Sequence, residues 1–329
     1  MSPMWLVAAP GALIATAALL LAAGSAYQFF AERADQEHYP PPGRLIDVGG
    51  RRLHVVCAGN AGGPTVVIEA GSGDDSNSWR RILDRVGTFA DVCTYDRAGL
   101  GWSDPAPGAR GFEDRVADLH SLLKAAAVRG PFILVGHSYG GYIVRLLARD
   151  HAEEVTGVVL VDASEEGFAF APSGLKGAQK IRSRMRRLAL AARFGILRLI
   201  AGMFPQHFRS IKGGPPVAYA GPVSLYLRAA RYEETADEMA AYGRVPGAMT
   251  KPGGFGSLGD LPLVVISRAP LDPITGNPTL PEWQQAQFRL LQLSSRSVHI
   301  VADKSGHNIQ DSEPDLVVNA IRNMLGATR

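Results

Sequence analysis

Short apolar runs alternate with amphipathic segments along most of the chain. Continuous apolar stretches such as Pro64–Glu69, Phe132–Val135 and Val158–Val161 are typical of strands buried on both faces of a sheet. Between them, segments such as Glu113–Ala127 and Tyr142–Arg149 repeat apolar residues at helical spacing. Strands that alternate with helices predict an α/β fold, with a mostly parallel sheet covered by helices on both faces.

The same pattern predicts eight strands in all. The first two, Leu45–Val48 and Leu53–Val56, are separated by Gly49-Gly50, which predicts a hairpin and therefore an antiparallel edge to the sheet. The other three runs of this kind are Val92–Tyr95, Leu263–Ile266 and Val298–Val301.

The stretch 163–259 has no strand pattern and is too long for a connection within a compact domain. It predicts a helical cap inserted into a core made of residues 44–162 and 260–329. Between Gly167 and Tyr232 the chain has twelve Lys and Arg but no Asp or Glu. Within it, Lys180–Met203 predicts a basic amphipathic helix, which either lies on an anionic membrane surface or packs over the core with its arginines solvated.

The N-terminal segment predicts a membrane anchor over residues 1–31, followed by a polar, proline-rich stalk over 32–43. No charged residue precedes Glu32, and the apolar run exceeds the ~20 residues that cross a bilayer as a helix. A secretory signal, cleaved near Gly24–Ala26 to release the protein, is the alternative, although such signals begin with basic residues. Positive charges occur only after the apolar run, which favours a cytoplasmic catalytic domain, but acidic residues surround Arg33.

Charge and cysteine content exclude some functions. With 34 basic and 31 acidic residues the net charge is +3, and no basic stripe is interleaved with aromatics, which argues against nucleic-acid binding. Cys57 and Cys93 have no metal-ligand spacing and lie in predicted strands, so the expectation is two buried free thiols. The sequence predicts neither a metal nor a cofactor.

A candidate nucleophile follows the strand Phe132–Val135. Gly136-His137-Ser138-Tyr139-Gly140 stands between that strand and a helix, the setting of a nucleophile elbow. Glycines flank the serine because side chains there would collide with neighbouring backbone. A second block, Thr94-Tyr95-Asp96-Arg97-Ala98-Gly99-Leu100-Gly101-Trp102-Ser103, follows another strand. With both blocks in this order, the chain from about Gly43 to its end resembles the α/β-hydrolase superfamily.

The resemblance implies the α/β-hydrolase fold and a general base near the C-terminus. His307 is the candidate, because it lies in Ser305-Gly306-His307-Asn308 after the strand Val298–Val301, where the family places its histidine. The other seven histidines lie in predicted strands, helices, the stalk, the cap or the elbow itself. Asp96 and Arg97 are expected to fix their loop rather than to act in catalysis.

An oxyanion hole needs two backbone N–H groups. The residue after the nucleophile, Tyr139, supplies one. The family places the second after the third strand, where this chain has Ala70-Gly71-Ser72, with Trp79 eight residues beyond Gly71. Ser72 is therefore the second candidate donor. Alanine stands at position 70 where the family often has histidine, which leaves open how this loop is anchored.

Two aspartates compete to be the acid that holds His307. Asp162 directly follows the strand Val158–Val161, a position from which some lipases and dehalogenases of this fold take their acid. Asp272 follows the strand Leu263–Ile266, the strand after which most members of the family supply their acid, but it stands one residue late. The sequence favours Asp162 and leaves Asp272 open, with Asp303 a more distant third.

Together these residues predict a serine hydrolase that cleaves carboxylic esters or related acyl bonds through an acyl-enzyme. The absence of acids between Gly167 and Tyr232 in the cap favours small-molecule esters that are uncharged, acidic or lipid-like over amine substrates. Carbon–carbon bond hydrolysis and cofactor-free haloperoxidase activity are alternatives on the same fold. A catalytically silent binding protein is the alternative outside the enzymes.

Overall fold

A computed structural model describes residues 5–204, 223–271, 276 and 279–327. Its centre is an eight-stranded sheet in the order β1-β2-β4-β3-β5-β6-β7-β8. The pairs β1–β2 and β2–β4 are antiparallel, and all other pairs are parallel, which confirms the predicted fold class. The strands are β1 Arg44–Asp47, β2 Arg52–Ala58, β3 Thr65–Glu69, β4 Val92–Tyr95, β5 Phe132–His137, β6 Val155–Val161, β7 Leu263–Arg268 and β8 Ser297–Ala302.

Helices cover both faces of the sheet. Each presents apolar residues at helical spacing to one of two buried clusters that lie on opposite faces of the strands. On one face pack α3 Phe112–Ala125 and α4 Gly140–Asp150, and on the other α2 Arg80–Val86 and α11 Pro314–Ala327. The strands β3 and β5 are buried along their whole length, as continuous apolar runs predict.

The cap connects β6 to β7. Its helices are α5 Glu166–Ala169, α6 Pro172–Arg193, α7 Ile196–Met203 and α8 Ala229–Ala241, and α9 Pro281–Leu291 and α10 Ile309–Ser312 follow in the core. The prediction of one helix over Lys180–Met203 was wrong, because the chain turns at Phe194-Gly195. Gly195 has φ 71°, a left-handed conformation that ends a helix and that glycine adopts without strain.

The N-terminal helix α1 runs from Trp5 to His38, seven residues beyond the predicted end of the anchor. The first half of the predicted stalk is therefore helical. From Ser25 to His38 the chain has neither glycine nor proline, and the helix ends two residues before Pro40. Among the described residues, this helix is long and apolar enough to cross a membrane over Gly11–His38.

Cys57 and Cys93 form a disulfide, so the prediction of two free thiols was wrong. The residues face each other in register across the antiparallel pair β2–β4, with 4.1 Å between their Cα atoms. Neighbouring antiparallel strands bring directly opposite residues this close. Only the pairing of the two strands, 36 residues apart in the chain, could have revealed the bond.

Candidate active site

The turn between β5 and α4 carries Ser138 at the carboxyl edge of the sheet. Its φ of 50° is left-handed, a strained conformation for a residue with a side chain. The flanking glycines permit the turn. A Cβ at Gly136 would lie 2.9 Å from the carbonyl oxygen of Gly140, and one at Gly140 would lie 2.5 Å from that of Glu69. The hydroxyl of Ser138 is partly exposed above the sheet.

His307 lies in the loop between β8 and α10 and points at this serine. Its Nε2 is 2.9 Å from Oγ of Ser138, and its Nδ1 is 2.6 Å from Oδ2 of Asp162. Because a carboxylate only accepts, Nδ1 carries the ring proton and Nε2 presents its lone pair to the hydroxyl. Such a chain can take a proton from Ser138 and stabilise the imidazolium that results.

Asp162 follows β6 and is completely buried. Its Oδ1 accepts from the indole N–H of Trp283 at 2.9 Å and from the backbone N–H of Arg268 at 3.2 Å. Burial alone raises the pKa of Asp162, but the hydrogen bond and charge of His307, together with Arg268, hold that pKa below its usual value. The competing acid, Asp272, lies outside the described residues.

His137, which lies within the elbow beside Ser138, also contacts His307. Its Nε2 donates to the backbone oxygen of His307 at 3.1 Å, and the two rings are 4.7 Å apart. Burial and the neighbouring His307 lower the pKa of His137 to about 3, so its ring stays neutral. His137 thus holds the backbone of the loop that carries His307. In the sequence, the only signal for this role was its position next to Ser138.

The loop after β3 reaches the same edge of the sheet. Neither Ser72 nor Tyr139, the two candidate oxyanion donors, gives its backbone N–H to a backbone carbonyl of the described residues. Two charged side chains hold the loop where the family's histidine is missing. Arg97 donates to the carbonyl oxygens of Ala70 at 2.8 Å and Gly71 at 2.6 Å. Glu238, from α8 of the cap, accepts from the Ser72 hydroxyl at 2.7 Å.

Asp96 has a purely architectural position. It is completely buried, and its carboxylate accepts from Nδ1 of His54 at 2.8 Å and from the backbone N–H groups of Ser76 and Trp102. Burial alone raises the pKa of Asp96, but these donors, led by His54, hold that pKa below its usual value. Asp96 therefore ties the loop after β4 to the loop after β3.

One group of described residues has ligand atoms spaced for a metal ion. Side-chain atoms of His120, His151 and Glu154 lie within 4.8 Å of one another. Two imidazoles and a carboxylate suit Zn²⁺. However, this group lies at the C-terminal end of α4, about 16 Å along the helix from the elbow at its start. It cannot contact a reacting group at Ser138.

Comparison with known proteins agrees with this architecture. The model of the alpha/beta hydrolase family matches residues 66–320. YqjL of Bacillus subtilis is 27% identical over 281 residues, which span 84% of this chain and 90% of YqjL.

Two solved structures resemble the fold. They are a thermophilic esterase from Thermogutta terrifontis (TM-score 0.61, 21% identity, 86% of this chain and 97% of that one) and the enol-lactonase from Burkholderia xenovorans LB400 (TM-score 0.56, 19% identity, 86% of this chain and all of that one). The family match spans the elbow, both candidate oxyanion donors and the histidine loop. The protein belongs to the alpha/beta hydrolase family and is a hydrolase.

Proposed function

We propose that the protein is a serine hydrolase that cleaves carboxylic esters through an acyl-enzyme. The observation that carries this is the hydrogen-bonded chain from Ser138 through His307 to Asp162. As Oγ of Ser138 attacks the ester carbonyl, Nε2 of His307 takes its proton, and Asp162 stabilises the charged ring. The proton then passes to the departing alcohol, which leaves Ser138 acylated. His307 next takes a proton from a water that attacks the acyl-enzyme, and it returns this proton to Ser138 as the carboxylic acid leaves.

The developing oxyanion is bound by the backbone N–H groups of Ser72 and Tyr139. Tyr139 immediately precedes α4, so the positive end of the helix dipole lies behind the tetrahedral oxygen. Hydrogen bonds to this oxygen form fully only in the transition state, and a single donor is worth about 10²–10³-fold in kcat.

A fluorophosphonate probe tests the nucleophile. We expect rapid labelling of the full-length protein in detergent, and none of the Ser138→Ala variant. An ester panel of increasing acyl length, measured with both proteins, then separates ester hydrolysis from other serine chemistry. Labelling without turnover of any ester favours carbon–carbon hydrolysis or haloperoxidase activity. A folded protein that is not labelled contradicts the enzyme and favours a binding protein.

We also propose that α1 remains attached as a single-pass membrane anchor. Its apolar turns support a membrane span, and its later turns contact the cap. Gln28 is buried and donates to the carbonyl oxygen of Leu227 at 2.9 Å. Cleavage near Gly24–Ala26 would remove the turns of α1 that precede Gln28 and the backbone contact at Gly24. The mass of the protein isolated from its native cells distinguishes an uncleaved anchor from a cleaved signal, because cleavage removes about 25 residues from the N-terminal end.

The disulfide indicates on which side of the membrane the catalytic domain lies. The distribution of positive charge favours the cytoplasm, but disulfides persist in oxidising compartments and are rare in the cytosol. We therefore propose the oxidising side. Alkylation of the chain in freshly lysed cells tests this. Cys57 and Cys93 should react with a maleimide only after reduction, and reaction without reductant would restore the cytoplasmic assignment.

A further inference from the structure

The anchor helix and the cap are fixed to each other by close and specific contacts. At Gly24 any side chain would overlap the carbonyl oxygen of Phe194, so the helix touches the turn between α6 and α7 backbone to backbone. Arg198 of α7 donates to Gln28 at 3.2 Å and forms an ion pair with Asp35 at 2.7 Å. The cap therefore lies along the anchor over residues 24–35, about 16 Å of helix.

These contacts begin at Gly24 and follow the exposed apolar turns of α1. Residues 11–23 are exposed on every side. Tyr27, Phe29 and Phe30 follow, also exposed, and the guanidinium of Arg33 stacks on Phe29 at 4.6 Å. Aromatic residues followed by a cation are typical of the boundary between hydrocarbon and headgroups. Along α1, the surface of the bilayer thus lies at the same height as the attachment of the cap.

Helix α7 turns an apolar face away from the protein at this level. Its buried side carries Leu197, while the exposed residues stand at positions i, i+3, i+4 and i+7, one continuous stripe: Ile196, Leu199, Ile200 and Met203. Phe204, next in the chain, is also exposed. The four side chains of the stripe are 37–64% exposed. The preceding helix, α6, adds exposed cations at Arg184, Arg186 and Arg187, which suit anionic headgroups.

We propose that α7 is embedded in the headgroup layer of the leaflet next to the cap, and that the substrates are esters of lipids drawn from that leaflet. The substrate class rests on the proposed ester hydrolysis at Ser138, whereas the position of α7 does not. Within the segment predicted as a basic amphipathic helix, α7 supplies the apolar contact and α6 supplies the charge. A membrane-resident substrate would then meet the cap without crossing water.

Charge placed on the stripe tests the substrate class. Full-length protein is reconstituted into nanodiscs of phosphatidylcholine and phosphatidylglycerol, and two esters are compared, one long-chain and dissolved in the bilayer, one short-chain and water-soluble. Leu199→Glu should lower hydrolysis of the bilayer ester at least tenfold and leave the soluble ester unchanged. Phe288→Glu on α9 is the matched control, because Phe288 is 57% exposed and Leu199 is 55% exposed.

The outcomes separate this proposal from the proposed function. Equal hydrolysis of the bilayer ester by Leu199→Glu and the parent protein overturns the substrate class. Hydrolysis of both esters by Ser138→Ala overturns the proposed nucleophile instead. The position of α7 is tested without catalysis by Leu199→Cys labelled with an environment-sensitive fluorophore. Its emission should shift to the blue in nanodiscs relative to the same label at Phe288→Cys, and emission equal to that control overturns the embedding.

A separate observation concerns the loop that carries Ser72. Glu238 is completely buried and comes from α8 of the cap. One carboxylate oxygen accepts from the Ser72 hydroxyl at 2.7 Å and from the Gly73 backbone N–H at 2.8 Å. The other accepts from Nε of Arg97 at 2.7 Å. The loop is therefore held from the core by Arg97 and from the cap by Glu238.

We infer that Glu238 is a positioning residue for the oxyanion hole, so that seating of the cap sets the direction of the Ser72 N–H. This inference also rests on the proposed acyl transfer. It explains how the loop is anchored although alanine replaces the family's histidine at position 70. A donor that is displaced by an ångström no longer points at the tetrahedral oxygen, and substrate binding elsewhere in the site is unaffected.

Kinetics per titrated active site test the role of Glu238. Glu238→Ala should lower kcat on the soluble ester about 10²-fold, the cost of one lost donor, with KM nearly unchanged. Inhibition by an alkyl boronate, which mimics the tetrahedral intermediate, should weaken by a similar factor. Glu238→Gln should fall between Glu238→Ala and the parent, because its one amide oxygen can accept from either Arg97 or the Gly73 N–H but not from both. Glu233→Ala, an exposed neighbour on the same helix, should behave as the parent. If Glu238→Ala lowers only the fraction of protein that titrates as active, and kcat per active site equals that of the parent, the inference is wrong.

Discussion

The catalytic edge of the sheet and the cap are held by different interactions. At the edge, backbone geometry fixes the positions: Ser138 and Asp162 both have positive φ, and the backbone N–H of Ser138 bonds to the carbonyl oxygen of Val161. The cap is joined to the core by packed aromatic side chains and by buried ion pairs such as Glu238–Arg97, and to the anchor through Arg198 and a backbone contact at Gly24. The geometry of the candidate site is thus set by the backbone, whereas the cap is held by side-chain packing and ion pairs.

The two regions also differ in what they expose. Strands around the catalytic edge are buried, whereas α6 and α7 present apolar and cationic side chains outward. A packed edge tolerates little change in volume, and an open helix surface tolerates much more. The proposed chemistry therefore depends on the edge, and the proposed contact with a membrane depends on the cap.

The largest expected effect is on the acid of the catalytic edge. Asp162→Asn should lower kcat about 10⁴-fold, because the amide cannot stabilise the imidazolium and favours the wrong tautomer of His307. Steady-state kinetics on a soluble ester measure the change. Asp272→Asn is the control and should stay within twofold of the parent. A large loss in Asp272→Asn combined with an active Asp162→Asn would assign the acid to Asp272.

Removal of the disulfide should affect stability but not chemistry, which sharpens the contrast between edge and core. The Cys57→Ser and Cys93→Ser double variant should lose about 2–4 kcal/mol of the free energy of unfolding, because the bond closes a loop of 36 residues. Urea unfolding in detergent measures it, with and without reductant. Reductant should destabilise the parent and leave the double variant unchanged, and an unaffected parent would contradict the bond.

Replacing a glycine by alanine should change the free energy of unfolding in opposite directions at the catalytic edge and in the cap. Gly140→Ala places Cβ 2.5 Å from the carbonyl oxygen of Glu69 and should destabilise the core by about 3 kcal/mol. Gly177→Ala lies within α6 with open space around it and should stabilise the protein by about 0.5–1 kcal/mol, because alanine favours a helix. Unfolding midpoints of both variants in detergent measure the difference. Two changes of the same sign would contradict it.

The sequence by itself determined the sheet, the insertion and the elbow. Buried strands reveal themselves as apolar runs such as Phe132–Val135, because every side chain in them must avoid water. The elbow was visible because its glycines are required by local backbone geometry at Ser138. Both signals depend on neighbours a few residues apart, so a one-dimensional pattern contains them.

Tertiary structure alone decided the long-range pairings. Asp162 lies 145 residues from His307, Cys57 lies opposite Cys93 only once β2 and β4 pair, and Glu238 reaches Ser72 across 166 residues. The position after β6 favoured Asp162 but left Asp272 open, and no local pattern marked the other partners, because each pairing depends on how separate elements pack. The turn at Gly195 belongs with them, since a glycine within an amphipathic run ends a helix only where the surrounding fold requires the chain to change direction.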